Sequence, residues 1–146
     1  MDWWRGAQGL KDDYDPIPAF RAHIATIRDR LPADLLALQE SISLHDSKVR
    51  EIQFDTDTKQ LEMRLEGGDG NGGLRHFILR YEGVTSFHST ADPHVGLNGP
   101  HGYGDLGYDE ADVTEEGLFE HRFLFSTGIE FQIVFNGFRL SYRDAK

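Results

Sequence analysis

Apolar residues follow a helical period in the first third of the chain. From Asp15 to Leu31 they recur at spacings of three and four, which predicts an amphipathic helix. Asp15 can cap this helix, and Pro16 is tolerated in its first turn. A second helix is predicted after Pro32, so that the two form a helical hairpin. The inner faces are Ile17, Phe20, Ile24, Ile27 and Leu31 in the first helix, and Leu35, Leu38 and Ile42 with neighbouring Leu36 in the second.

After His45 the pattern changes to an alternation of apolar and polar residues, which predicts short β-strands. The apolar positions are Ile52 and Phe54, then Leu61, Met63 and Leu65, then Phe77, Leu79 and Tyr81, then Phe119, Phe123 and Phe125, and then Ile129, Phe131, Ile133 and Phe135. Asn136-Gly137 is the strongest hairpin signal in the chain, because this dipeptide readily adopts a tight two-residue turn. It predicts that the strand ending at Phe135 folds back into a last strand containing Phe138, Leu140 and Tyr142.

About six strands joined by short turns favour antiparallel pairing, since parallel crossovers need a dozen or more residues each. The predicted fold is therefore α+β, with the N-terminal helical hairpin packed on a mainly antiparallel sheet. No repeat or linker divides the chain, so residues 1–146 are predicted to form a single domain. If both faces of the C-terminal strands are apolar, a helix or a second chain must cover one of them, which allows a homodimer without indicating one.

The segment from Ser89 to Glu116 is predicted to be a long acidic loop, and loops of this length in compact domains are often functional. It contains seven carboxylates and no lysine or arginine: Asp92, Asp105, Asp109, Glu110, Asp112, Glu115 and Glu116. The whole chain carries a formal net charge of −10, with 25 acidic against 15 basic residues. This balance argues against nucleic acid and favours a basic protein surface or a metal ion as the partner.

The location predicted from the sequence is the cytoplasm. The chain contains no cysteine, which fits a reducing compartment and removes thiolate zinc sites and cysteine nucleophiles from consideration. The polar N-terminus lacks the apolar region of a signal peptide, and no segment approaches the roughly 20 apolar residues that span a bilayer. No membrane association is expected.

Three histidines form the best candidate for a metal site, because imidazole and carboxylate groups together suit zinc or another divalent ion. They are His88, His94 and His101, with Asp92 and Asp105 nearby in the sequence. Their spacing matches no zinc motif, and the glycines between them leave the ligands unorganised. We therefore favour a solvated loop and expect no cofactor.

The dipeptide His45-Asp46 stands where the second helix gives way to the first strand. Metal-dependent phosphohydrolases use such a pair, but they hold it on helices in an all-α setting with a further His and Asp. We favour a structural role, in which Asp46 accepts backbone N–H bonds in the turn and His45 packs with a satisfied ring. The chain also lacks a Gly-x-Ser-x-Gly elbow, a Ser-x-x-Lys pair and a phosphate-binding Gly-Lys-Ser/Thr loop, so nothing in it requires an enzyme.

Several patches resemble features that recur in small bacterial proteins, some of them suspected immunity or accessory proteins of polymorphic toxin systems. They are Ser43-Leu44-His45-Asp46-Ser47 followed by the strand with Ile52 and Phe54, the segment Gly107-Tyr108-Asp109-Glu110, and the run from His121 to Phe135. The resemblance implies a bacterial cytoplasmic protein and transfers no catalytic residue.

The leading hypothesis is a non-enzymatic protein-binding module, an immunity-type inhibitor in one version, that presents the acidic loop to a basic protein partner. Its predicted binding residues combine carboxylates with two aromatic anchors: Tyr103, Asp105, Tyr108, Asp109, Glu110 and Asp112. One alternative is a metal-dependent hydrolase that uses His45, Asp46 and the loop histidines. A second alternative is a structural homo-oligomer that uses apolar sheet surface.

Overall fold

The computed structural model describes residues 16–91 and 102–144, which form two helices followed by eight strands. Helix α1 is Pro16–Ile27 and helix α2 is Ala33–Glu40, with a 3₁₀ turn at Arg28–Arg30 between them. The strands are β1 Lys48–Asp55, β2 Gln60–Gly68, β3 Leu74–Glu82, β4 Ser86–Ser89, β5 Leu106–Val113, β6 Phe119–Phe125, β7 Glu130–Phe135 and β8 Gly137–Asp144. The predicted α+β class with N-terminal helices is confirmed.

The strands form two four-stranded sheets, in the orders β1-β2-β3-β8 and β4-β7-β6-β5, and every pairing is antiparallel. The prediction of one sheet with about six strands was therefore wrong in its detail. Side chains from both sheets join in one apolar core, in which Leu79 and Tyr81 from β3 meet Phe123, Ile133 and Phe135 from β6 and β7. Because each sheet buries one face against the other, the alternation in the sequence is preserved even though the number of sheets is not.

The two helices bury the apolar positions that the sequence predicts, namely Phe20, Ile24 and Ile27 in α1, Leu31 after the 3₁₀ turn, and Leu35 and Leu38 in α2. The predicted cap Asp15 and the side chain of Ile17 lie outside the described residues. The two helices pack mainly against strands β5 and β8 and less against each other. The prediction that they form a helical hairpin was therefore also wrong in its detail. In the part of the chain that the structure describes, no helix is long and apolar enough to cross a membrane.

Helix α2 covers one edge of each sheet. The backbone N–H of Leu140 in the edge strand β8 donates to Asp34 Oδ2 at 2.8 Å, and the N–H of Ala111 in the edge strand β5 donates to Gln39 Oε1 at 3.2 Å. Unpaired edge groups otherwise attract other strands, so these side chains protect both edges. One helix thereby holds the two sheets together on this side of the core.

Asn136-Gly137 does not form the predicted hairpin. Strand β7 belongs to the second sheet and β8 to the first, where β8 pairs with β3. At this crossing the backbone N–H of Asn136 donates to the carbonyl of Glu82 at 2.8 Å. The chain crosses between the sheets a second time beside it, at Gly83 between β3 and β4, and Gly83 has a φ of 61°. The two crossings are in close contact, because a Cβ on Gly83 would lie 2.9 Å from Cβ of Asn136.

The acidic segment is not one long loop, because residues Leu106–Val113 form strand β5 and pair with β6. The prediction overlooked this strand because Asp109, Glu110 and Asp112 break its apolar pattern. Between Leu106 and Tyr108 the register shifts by one residue, as in a β-bulge. Such a bulge changes the direction of nearby side chains. Residues 92–101 of the predicted loop lie outside the described residues.

Candidate functional site

A groove of about 540 Å³ lies between the two helices, the segment that joins α2 to β1, and the beginning of β5. Its walls combine apolar residues with several polar groups: Phe20, Leu38, Ile42 and Leu106 on one hand, and Arg21, Gln39, Glu40, Ser41, Ser43, His45, Tyr108 and Asp109 on the other. Grooves of this size and mixed lining are the usual form of a ligand-binding site. Two residues predicted for binding, Tyr108 and Asp109, therefore meet His45 in one place.

Asp109 supplies the groove with a carboxylate whose orientation is fixed. Its Oδ2 accepts hydrogen bonds from His121 Nε2 at 2.8 Å and from Gln39 Nε2 at 3.1 Å. The Gln39 amide cannot turn around, because its Oε1 accepts the N–H of Ala111. Only 13% of the Asp109 side chain is exposed to solvent. The carboxylate is thus held from two sides where β5 borders the groove.

Behind Asp109 a buried chain of hydrogen bonds runs into the core. The His121 ring is fully buried, and its Nδ1 lies 2.8 Å from the hydroxyl of Tyr81, which is also fully buried. Burial raises the pKa of Tyr81 well above its ordinary value of 10.0, and the charge of Asp109 raises it further. Tyr81 therefore keeps its proton, and its hydroxyl can form a hydrogen bond with Nδ1 while Nε2 donates to Asp109.

Alkaline pH should destabilise the fold through Tyr81. Because its folded pKa is raised, its contribution to stability is fully present below the unfolded pKa of about 10 and is lost as the pH rises towards the folded pKa. We expect Tyr81→Phe to remove part of the fall in the free energy of unfolding between about pH 9 and 11, measured by urea denaturation. Tyr142→Phe is the matched control, since this ring is half exposed. An equal alkaline loss in all three proteins would contradict the prediction.

His45 and Asp46 do not pack as predicted, because their side chains are 63% and 72% exposed. His45 Nδ1 donates to the carbonyl of Gly107 at 3.0 Å, and its Nε2 lies 3.4 Å from Asp46 Oδ1. Asp46 adopts a left-handed backbone with a φ of 64°, and its N–H donates to the carbonyl of Leu106 at 2.8 Å. The backbone of Asp46, rather than its carboxylate, joins the end of the helical segment to β5.

The other predicted binding residues lie outside the groove lining. Tyr103 packs its ring on Phe125 and Phe131, and Asp105 forms an ion pair with Lys48 at 2.8 Å. Asp112 Oδ1 lies 2.9 Å from Nε2 of His23 in α1, and Glu110 is buried opposite Arg122 of β6. These carboxylates therefore contribute to packing and pairing around β5.

The predicted metal ligands cannot be compared as a set, because His94, His101 and Asp92 lie outside the described residues. His88 is exposed on β4, where it stands opposite Gln132 of β7. Among residues 16–91 and 102–144, no group of three or more His, Cys, Asp or Glu side chains could hold a metal ion.

His121, Tyr81 and Gln39 were not predicted to be parts of one site. A signal for His121 was present, since it stands at a period of two between Phe119 and Phe123, on the face that β6 buries. A histidine on such a face needs a hydrogen-bonding partner, because burying an unpaired polar group is costly. Its partners lie 12 and 40 residues away in the chain, and no local pattern identifies them.

The polar groups of the groove differ in how far they are already engaged. The hydroxyl of Ser41 donates to the carbonyl of Ala37, and that of Ser43 accepts the N–H of His45, so both are engaged in local hydrogen bonds. Asp109 offers a fixed carboxylate, and Tyr108 offers an aromatic ring that packs on Phe20 at 6.0 Å between centroids.

No family model matches the chain, and no curated protein matches it at a significant level.

Proposed function

We propose that this chain is a non-enzymatic binding module, of the immunity-inhibitor kind, that seats a basic side chain of a protein partner against Asp109. The observation that carries the proposal is the fixed carboxylate at the groove, held by His121 and Gln39. A group that is already oriented before binding loses little conformational entropy when the partner arrives. A lysine or arginine can therefore gain a charge-assisted hydrogen bond without further ordering of this carboxylate.

The surroundings of Asp109 suit a long basic side chain. Half-buried Ile42, beside the largely buried Phe20 and Leu38, offers apolar contact to the methylene groups of a lysine or arginine, which commonly lie along apolar surface. Tyr108 precedes Asp109 on β5, and an aromatic ring of this kind can also attract a cation. The groove thus provides both charge and apolar area, which strong binding sites combine.

Charge over the whole chain supports the same kind of partner. The net charge of −10 attracts basic proteins and raises their association rate, mainly at low salt. The groove itself is mixed, because Arg21 and Glu40 also line it and Glu40 is engaged by Arg28 through two hydrogen bonds of 3.0 and 2.8 Å. Arg21 favours a partner that carries an acidic group near the basic side chain bound by Asp109. Two such contacts would fix the orientation of the partner in the groove.

The proposal predicts that Asp109→Asn weakens binding of a basic ligand at least tenfold, because truncating a paired charge in a partly desolvated site costs about 2 kcal/mol or more. The measurement is a chemical-shift titration of the full chain with an arginine-containing peptide, followed on backbone amides. We expect shifts at Gln39, His45 and Gly107 in the native protein. Glu115→Gln is the matched control, since it removes the same charge from an exposed position.

Two outcomes would contradict the proposal. Equal weakening by Asp109→Asn and Glu115→Gln would mean that net charge, and not the groove, attracts the peptide. Chemical-shift changes spread over the whole acidic surface would also mean that net charge attracts the peptide. A melting curve of Asp109→Asn must accompany the titration, because the substitution also alters the bonds to His121 and Gln39.

The metal-dependent hydrolase stays an alternative proposal, and it is supported by His45, which lines the same groove as Asp109. Zinc added to the native chain distinguishes the two proposals. Stoichiometric binding that is lost on replacing His45 by Ala favours the hydrolase. Binding of the arginine peptide that is unaffected by zinc favours the recognition module.

A further inference from the structure

The C-terminal end of helix α2 borders the same groove as Asp109. Every residue from Leu38 to Ser43 belongs to the lining, and the helix ends within this stretch. The carbonyls of a helix point towards its C-terminal end, and the last of them have no partner within the helix. This end therefore carries a partial negative charge, which favours a cation. A fixed carboxylate and the negative end of a helix thus meet at one groove.

The last carbonyls of α2 differ in how far they are engaged. The carbonyl of Ala37 accepts the N–H groups of Ser41 and Ile42 at 2.9 and 2.8 Å, and the Ser41 hydroxyl at 3.2 Å. Among the described residues, no group donates to the next three carbonyls, which we call the open carbonyls of α2: Leu38, Gln39 and Glu40. They are therefore available as acceptors for a ligand.

The two carboxylate oxygens of Asp109 also differ. Oδ2 accepts the bonds from His121 and Gln39, whereas Oδ1 accepts none from the described residues and reaches solvent. Gln39 connects the carboxylate to the helix end, because its side chain donates to Oδ2 and its own carbonyl is one of the open carbonyls. Oδ1 and the helix end are thus two sets of unused acceptors on either side of a single glutamine side chain.

An arginine matches this arrangement of acceptors better than a lysine does. A guanidinium presents five N–H donors in a rigid planar fork, so it can contact acceptors on two sides at once. The ammonium of a lysine is a compact charge with three donors and a strongly held hydration shell. Either group can bond to Oδ1, but the wider guanidinium also gains the helix carbonyls, with which arginine side chains commonly bond.

We infer that the groove selects arginine over lysine, with the guanidinium bound between Asp109 Oδ1 and the open carbonyls of α2. The inference rests on the proposed function, because it names the basic residue that the partner inserts at the same site. It adds the end of α2 as the part of the site that sets specificity. Charge does not distinguish the two side chains, so the number and spread of the acceptors must do so.

The test compares three peptides that are identical except at one position, which carries arginine, lysine or citrulline. Citrulline has nearly the shape of arginine without its charge. In chemical-shift titrations of the full chain, the arginine peptide should have a dissociation constant about tenfold or more below that of the lysine peptide, because it makes more charge-assisted hydrogen bonds. The citrulline peptide should also bind about tenfold or more weakly than the arginine peptide, since it cannot pair with the charge of Asp109.

The carbonyl-carbon resonances give a direct measurement at the helix end. The arginine peptide should shift those of the open carbonyls of α2, while the lysine peptide should shift them less. The carbonyl of Ala37 is the internal control, because its acceptor capacity is already used. Asp109→Asn should weaken the arginine and lysine peptides alike and preserve the preference for arginine, because the end of α2 remains in place.

The outcomes separate this inference from the proposed function. Equal affinities of the arginine and lysine peptides, with shifts confined to the groove, would overturn the inference and leave the proposed function standing. A preference for arginine that disappears in Asp109→Asn would also overturn it, since selection would then lie in the carboxylate and not in the helix end. Absence of binding by all three peptides at the groove would overturn both.

Discussion

Replacing His121 by Ala should lower the free energy of unfolding by about 3 to 5 kcal/mol, measured by urea denaturation near neutral pH. The substitution leaves a cavity where a fully buried ring was. It also removes a hydrogen-bonding partner from both Tyr81 and Asp109, which the ring now connects. The buried Tyr81 hydroxyl that loses its partner costs about 1 to 3 kcal/mol, and the cavity accounts for the rest, while Asp109 keeps its bond from Gln39.

The control for this prediction is His88→Ala, because His88 is exposed on β4 and its removal should change stability by about 0.5 kcal/mol or less. Tyr81→Phe should be intermediate, at about 1 to 2 kcal/mol, since it leaves only Nδ1 of His121 unsatisfied. In the His121→Ala background, Tyr81→Phe should cost less than in the native chain, because the bond is already absent. Equal effects of His121→Ala and His88→Ala would show that the buried chain does not stabilise the fold.

The same experiment connects stability to the groove. If His121 orients Asp109, then His121→Ala should weaken peptide binding at Asp109 even under conditions where the variant stays folded. A domain of this kind has a total stability of about 5 to 15 kcal/mol, so the variant should remain measurable at low temperature and low urea. Unchanged binding in a destabilised His121→Ala protein would mean that Gln39 alone holds the carboxylate.

The sequence predicted the elements of this fold better than their arrangement. The periodicity located the buried faces of α1 and α2 and most strands, because burial of apolar side chains follows directly from their spacing. It missed β5, where Asp109 and Asp112 occupy strand positions. These side chains are satisfied by His121, Gln39 and His23, which come from distant parts of the chain. Local pattern cannot reveal such partners, so a strand with buried polar contacts was interpreted as a solvated loop.

The candidate site was predicted in part for the same reason. Tyr108 and Asp109 were selected for charge and aromatic character, and the structure places both at the groove, although on a strand. Tyr103 and Asp105 were selected on the same grounds and lie elsewhere. What distinguishes the two pairs is contact with α1 and α2, which only the folded chain establishes. His45 reached the groove because its ring bonds to Gly107 at the bulge in β5.

The wrong hairpin at Asn136-Gly137 shows why the number of sheets was missed. A tight turn is the local preference of this dipeptide, but β8 instead pairs with β3, where Phe138 packs against Tyr81 at 5.0 Å between ring centroids. The chain therefore crosses between sheets at Asn136, in contact with the other crossing at Gly83. The two crossings form a corner whose geometry should be sensitive to a single methyl group.

Replacing Gly83 by Ala should test that corner, with an expected loss of about 2 to 4 kcal/mol in the free energy of unfolding. One part of the loss comes from the backbone, since a φ of 61° costs an L side chain about 1 to 2 kcal/mol. The other part is steric, because the new Cβ would lie 2.9 Å from Cβ of Asn136 and neither crossing can move without disturbing a sheet.

Gly117→Ala separates the two parts of the Gly83 prediction. Gly117 has a φ of 82° and nothing within 4 Å of an added Cβ, so its replacement should show the backbone cost of about 1 to 2 kcal/mol alone. The additional loss in Gly83→Ala then measures the contact between the crossings. Asn136→Gly removes the opposing Cβ, and in that background Gly83→Ala should fall to the level of Gly117→Ala. A loss that stays above that level would mean that the close approach of the crossings is not what restricts position 83 to glycine. A loss in the native chain no larger than that of Gly117→Ala would mean that the corner tolerates the methyl group.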